Sequence, residues 1–147
     1  MARFVLLYHD CPPSYERASH WDFMLESGEV LRTWALDRLP HDWQTAHSAT
    51  VRVFPNCPSL ALENRVAALQ LGDHRRDYLD LEGPLTGGRG AARRVAAGAY
   101  RSDNEAPDEW LMVLTSGNFS ANVQLSRSDA DDETWTLFST ECKVLST

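Results

Sequence analysis

His20-Trp21-Asp22-Phe23-Met24-Leu25-Glu26 is the stretch on which the reading of the fold turns. Polar and apolar residues alternate along it with the period of a β-strand. His20, Asp22 and Met24 therefore share one face, and Trp21, Phe23 and Leu25 the other. The aromatic face packs; the other offers chemistry. Two residues apart on a strand, the backbones of His20 and Asp22 stand roughly 6.5–7 Å from each other, and their side chains can converge on one metal ion with bonds of about 2.0–2.2 Å. His9 and His74 have surroundings that suit them to join the pair.

Working outward, Arg3 to Tyr8 reads as a buried opening strand that delivers His9 and Asp10 at its end, and Cys11-Pro12-Pro13-Ser14 breaks it. After the central stretch, Ser27-Gly28 signals a hairpin that returns the chain as Val30 to Leu36. Pro40, Pro55 and Pro58 mark an irregular connection over residues 37–63, with a short strand expected over Thr50 to Phe54 and with His41 and His47 solvated. Val66 to Leu71 reads as a strand. Asp73 to Asp80 reads as a turn or one helical turn, and Gly83 to Gly90 as a glycine-rich loop. Further strands are expected around Ala92 to Ala97, ended by a turn at Gly98, and over Glu109 to Leu114, Phe119 to Leu125 and Thr134 to Ser139. Trp34, Trp110 and Trp135 belong to the core. Seven or eight short strands with one or two helical turns predict a mainly β protein, an antiparallel sheet closed into a barrel, as a single domain over residues 1–147.

Size and composition agree. A chain of 147 residues, 43% hydrophobic, with five Trp, five Phe and four Tyr, has the apolar mass for one folded core. No apolar run approaches the roughly 18 residues of a membrane span, and Phe4 to Tyr8 is too short for the core of a signal peptide. A cytoplasmic monomer without a membrane partner is the expectation. Cys11, Cys57 and Cys142 form no C-x-x-C pair, which suits reduced thiols. The net charge of −7 argues against a long basic surface for nucleic acid. Its distribution is uneven: residues 102–147 carry nine acids against only Arg127 and Lys143, while seven of the thirteen arginines lie from Arg65 to Arg101. Arginine's planar fork suits phosphate oxygens, so a local anion site is expected in that basic segment.

Asp73, His74, Tyr78 and Glu82, with the following glycines, form the second dense cluster, and Arg75, Arg76 and Arg89 offer it positive charge. His20-Trp21-Asp22-Phe23, Gly28-Glu29-Val30-Leu31-Arg32-Thr33-Trp34-Ala35 and Asp73-His74-Arg75-Arg76-Asp77-Tyr78-Leu79-Asp80-Leu81-Glu82-Gly83 together resemble, in the same order, the 3′-phosphoesterase module of bacterial DNA ligase D. The likeness runs from Arg3 to about Tyr100 and more faintly to the strands near Leu125 and Leu137. It implies a compact β-barrel that uses a divalent metal, manganese first with zinc as the alternative, to remove a terminal ribonucleotide and then the 3′-phosphate from DNA ends. The partners it implies are nucleic-acid 3′ ends. Carried over by position, His9, His20 and Asp22 match the metal ligands, and His74 matches a histidine close to the scissile phosphate. Tyr78 and Glu82 match the tyrosine and glutamate of the motif that follows. Where the family carries a phosphate-contacting arginine two residues after the aspartate, this chain has Met24. The charge then falls to Arg89, Arg75 or Arg65, or the activity is weakened, altered or lost.

Three readings follow. The first is a metal-dependent phosphoesterase acting on 3′-phosphate or 3′-ribonucleotide ends in DNA repair. The second is a weak or inactive metal- and phosphate-binding module of the same fold. The third is a protein-interaction module with structural histidines, for which the acidic last third would serve.

Overall fold

The alternating stretch forms strand β2 (His20–Ser27), paired antiparallel with β1 (Arg3–Asp10) on one side and β3 (Val30–Leu36) on the other. The computed structural model describes residues 1–51, 61–117, 119–129 and 131–144. Strand β3 continues the sheet to β4 (Arg65–Gln70), which pairs with β10 (Thr134–Val144). From there the order runs through β9 (Phe119–Ser126) and β8 (Glu109–Thr115) to β7 (Ala91–Ala106), and β7 pairs back with β1. The result is a closed eight-stranded antiparallel barrel. Two short strands lie off the ring: β5 (His74–Arg75) on β3 and β6 (Gly83–Pro84) on β7, with a 3-10 helix (Arg76–Leu79) between them.

The barrel interior is built by the aromatic faces. Trp21, Phe23 and Leu25 of β2 point inward with Phe4, Leu6 and Tyr8 of β1, all essentially inaccessible to water. Trp34 stacks edge-on against Trp135 and Trp110, ring centroids 5.6 and 5.9 Å away, as expected for buried aromatics with offset quadrupoles. The opposite face of the same strands is also covered. Val5, Leu7, Met24 and Leu31 form a second, smaller apolar cluster outside the barrel wall, closed by Leu79 of the 3-10 helix and Ala92.

Three local expectations need correction. Residues 37–40 and 61–64 are irregular as expected, but between them helix α1 (His41–Ala46) follows Pro40, and helix α2 (Ser48–Val51) follows it. Apolar burial drives this, because Trp43 plugs the barrel end against Phe23 and Phe119, and its indole N–H donates to the Ser139 hydroxyl at 2.7 Å. Thr50 and Val51 thus belong to a helix, and the rest of the expected strand, with Cys57, lies outside the described residues. Gly98 ends no strand. A β-carbon there would stand 2.1 Å from the Thr115 carbonyl oxygen, so this glycine permits the close approach of β8 in mid-strand. Strand β7 accordingly runs unbroken for 16 residues and β10 for 11, both longer than the sequence suggests.

His47 is buried rather than solvated, its ring 4.7 Å from that of Phe119 and its Nδ1–H donating to the Trp43 carbonyl at 3.0 Å. Burial pushes its pKa below the ordinary histidine value, and the Trp43 carbonyl only partly opposes this. The stability that the neutral ring contributes is fully present above the ordinary value. It is lost as pH falls through that value toward the lower folded pKa, because the unfolded chain takes the proton first. Between about pH 7.5 and about pH 5 the melting midpoint of the parent should therefore drop relative to that of a His47→Gln variant, which lacks this titration. No helix among the described residues is long and apolar enough to cross a membrane.

Candidate metal centre

His9 and His20 face each other across the β1–β2 ladder, and Asp22 lies one step further along the same outer face, opposite Leu7. The period of two that sends Trp21 and Phe23 inward thus places all three polar side chains together, each nine-tenths or more buried. The imidazoles stand 5.0 Å apart, centroid to centroid. His9 Nε2–H donates to the Arg89 carbonyl at 2.7 Å, and His20 Nδ1–H donates to the Ala18 carbonyl at 2.8 Å. A carbonyl oxygen only accepts, so those two nitrogens carry the protons. The other nitrogen of each ring then presents a lone pair toward Asp22: His20 Nε2 is 3.0 Å from Oδ1, and His9 Nδ1 is 3.8 Å from Oδ2.

Two lone pairs facing a carboxylate repel each other unless positive charge sits among them. Asp22 Oδ1 is buried and makes no hydrogen bond, which is the condition of an atom that waits for a cation. Burial works against a charged His20, but the Asp22 carboxylate and the Ala18 carbonyl outweigh it, and the His20 pKa lies above its ordinary value. A proton on Nε2 is one way to supply the charge; a divalent ion is the other. Imidazoles held at the outer nitrogen by backbone carbonyls, with the inner nitrogen free, have the second-shell arrangement typical of metal-binding histidines. The residues could therefore hold a metal ion.

Cys11 adds a second donor geometry. The ligand atoms of His9, Cys11 and His20 lie within 4.8 Å of one another, so this buried cluster could also hold a metal ion. Its thiol, however, lies 4.0 Å from His20 Nδ1, the nitrogen already engaged with Ala18. Burial, and then the charges of Asp22 and Asp10, push the Cys11 thiol up to about 11. The Asp22 side offers a free nitrogen on each ring and an anionic oxygen; the Cys11 side offers a neutral thiol and an engaged nitrogen.

These residues open into a pocket of about 360 Å³ whose far wall carries His74 and Tyr78, with Arg89 at its rim. His74 Nδ1–H donates to the Gly72 carbonyl at 3.0 Å, which leaves Nε2 available, and its ring meets Tyr78 edge-on at 5.1 Å. Met24 explains part of this placement. Only 1% exposed, it belongs to the outer apolar cluster that includes Leu79 and against which Tyr78 packs, the cluster that seats the short helix. Arg89 is held by its Nε–H on the Thr86 carbonyl at 2.8 Å and a terminal N–H on the Thr86 hydroxyl at 3.2 Å.

Six of the nine residues singled out from sequence thus line one pocket: His9, His20, Asp22, His74, Tyr78 and Arg89. The other three lie elsewhere. Glu82 accepts the Arg94 backbone N–H at 3.0 Å and lines a separate hollow with Arg94 and His47. Arg75 has a side chain 82% exposed beside Asp77, and Arg65 stacks over the Phe138 ring at 4.5 Å in another hollow. Sequence reasoning passed over Tyr15, Arg17 and Gln70, which also line the pocket. The signal for Tyr15 and Arg17 is their place in the loop joining the two ligand-bearing strands; Gln70 gave none. Searches of protein families and of curated proteins find no match to the chain.

Proposed function

We propose that the chain is a divalent-metal-dependent phosphoesterase acting on 3′-phosphate or 3′-ribonucleotide ends of DNA. The observation that carries this reading is the convergence of two carbonyl-anchored imidazoles on a buried carboxylate in a pocket that also holds His74, Tyr78 and Arg89. His9, His20 and Asp22 would hold the ion; the resemblance implies manganese, and the imidazoles equally suit zinc. A bound divalent ion supplies Lewis acidity that draws charge from phosphoryl oxygens. Opposite it, a protonated His74 donates from Nε2 to a phosphoryl or leaving oxygen, and the Tyr78 hydroxyl donates a further hydrogen bond. Leu7, Leu69, Leu71, Leu85 and Ala92 are the apolar residues of the pocket wall.

The test is direct. The purified chain, given manganese and a DNA primer ending in 3′-phosphate, is expected to release inorganic phosphate, and His20→Ala to lose the rate by roughly 100-fold or more. Absence of phosphate release with manganese, or an undiminished rate in His20→Ala, sinks the reading for that substrate.

The burial of Met24 where the family places an arginine favours a second reading, a module that binds a phosphorylated end without cleaving it. Metal binding that disappears in Asp22→Ala, with no turnover in the parent chain, would select it.

A further inference from the structure

Arg17 lies in the loop between β1 and β2, half-buried, and lines the pocket beside His9, His20 and Asp22. It also lines an adjoining hollow of about 400 Å³, which shares His20 and Leu69 with the first, so it stands where the two meet. Among the described residues its guanidinium makes no hydrogen bond and no ion pair, although Glu16 and Glu133 line the same pocket. Other arginines around the covering segment are committed. Arg89 is tied to Thr86, Arg76 to Glu26, Arg94 to the Leu79 carbonyl and Arg75 to Asp77.

An uncommitted guanidinium in the wall of a pocket that holds a cation site is unfavourable by itself, since it repels the ion the ligands attract. An anion bridging the two removes the conflict, and a planar fork is the donor that binds two phosphoryl oxygens at once. We propose that Arg17 is the substrate's phosphate-binding residue at this centre, supplying the charge that Met24 cannot. The inference rests on the phosphoester reading of the pocket. A phosphate held at the junction leaves the sugar and base of its ester beside the second hollow, walled by Ala35, Ala67 and Leu69 together with Asp37 and Thr134.

The test titrates the manganese-loaded full chain with inorganic phosphate by calorimetry. Arg17→Ala should weaken phosphate binding ~10–100-fold, because a charge-assisted pair of hydrogen bonds is lost. Arg17→Lys should recover part of it, as charge without the fork. Manganese affinity, measured separately, should stay within about twofold of the parent or tighten, since a like charge is gone. Phosphate affinity in Arg17→Ala within about twofold of the parent overturns the proposal, as does a parent chain that binds no phosphate. Arg17-dependent phosphate binding without hydrolysis of 3′ ends leaves the inference standing and removes the reaction. Hydrolysis that proceeds with unchanged KM in Arg17→Ala does the reverse.

Discussion

Asp22→Asn is expected to abolish the metal-dependent rise in melting temperature while leaving the metal-free chain no less stable than the parent. Asp22 is 6% exposed, and its Oδ1 has no hydrogen-bond partner. In the metal-free fold, once His20 at 3.0 Å has lost its proton, that buried carboxylate oxygen has no compensating charge, and neutralising it removes a desolvation cost on the order of 1–3 kcal/mol. With metal the balance reverses, because the anionic oxygen is the donor that the two neutral imidazoles cannot replace. At a hundredfold excess over its dissociation constant a bound ion stabilises the native state by about 2.7 kcal/mol, and this increment should vanish in the variant. Melts with and without manganese, taken at successively higher pH so that His20 increasingly loses its proton, measure both halves. Cys11→Ala is the paired comparison. If the Asp22 side holds the ion, Cys11→Ala keeps the metal increment; a result in which Cys11→Ala loses it and Asp22→Asn keeps it assigns the ion to the thiol side instead.

Much of the fold was legible because burial imposes period two wherever a strand has one face in a core. Trp21, Phe23 and Leu25 announced an inward face, and with it the outward placement of His20 and Asp22. Alternation says nothing about what covers the outer face, so Met24 could be placed on that face but not recognised as part of a second apolar cluster. The same limit applies to Gly98. A glycine is required equally by a turn and by a close strand contact, and only the position of Thr115 distinguishes them. Trp43 and His47 were hidden because their burial depends on the far ends of β2, β9 and β10, residues remote in sequence.

For the site, residue type was informative and charge partnering was not. His9, His20, Asp22, His74 and Tyr78 carry side chains whose chemistry is specific, and the ladder brings the first three together. Arginines, by contrast, are interchangeable in sequence until their partners are known. Arg75 and Arg65 looked as suitable as any, yet one pairs with Asp77 and the other lies over Phe138. Glu26 illustrates the same point from the acidic side. Its carboxylate resists the burial that would raise its pKa through the Arg76 guanidinium and the Arg3 backbone N–H, and its pKa is lowered. That ion pair ties β2 to the 3-10 helix, 50 residues later in sequence, and so helps hold Tyr78 over the pocket.

Gly90→Ala is expected to damage the fold and the centre together. Its φ of +90° lies outside what an alanine adopts without strain, and a β-carbon would fall 1.9 Å from the Asp10 carbonyl oxygen. Backbone cannot yield as a side-chain tip does, so β1 and the loop before β7 must separate. The loop is tight, with the Leu85 N–H donating to the Gly90 carbonyl at 2.7 Å, and the residue displaced with Gly90 is Arg89, whose carbonyl fixes the proton on His9 Nε2. We expect a stability loss of roughly 2–4 kcal/mol from strain and overlap. Metal affinity should fall ~10–100-fold as His9 loses the partner that orients its ring. Gly87→Ala separates the two effects, since Gly87 also has a positive φ, +72°, but nothing within 4 Å of a β-carbon. It should cost only about 1 kcal/mol of backbone strain and leave metal affinity unchanged. Equal losses of metal affinity in the two variants would show that loop strain alone, and not the contact with Asp10 and the carbonyl of Arg89, governs the centre.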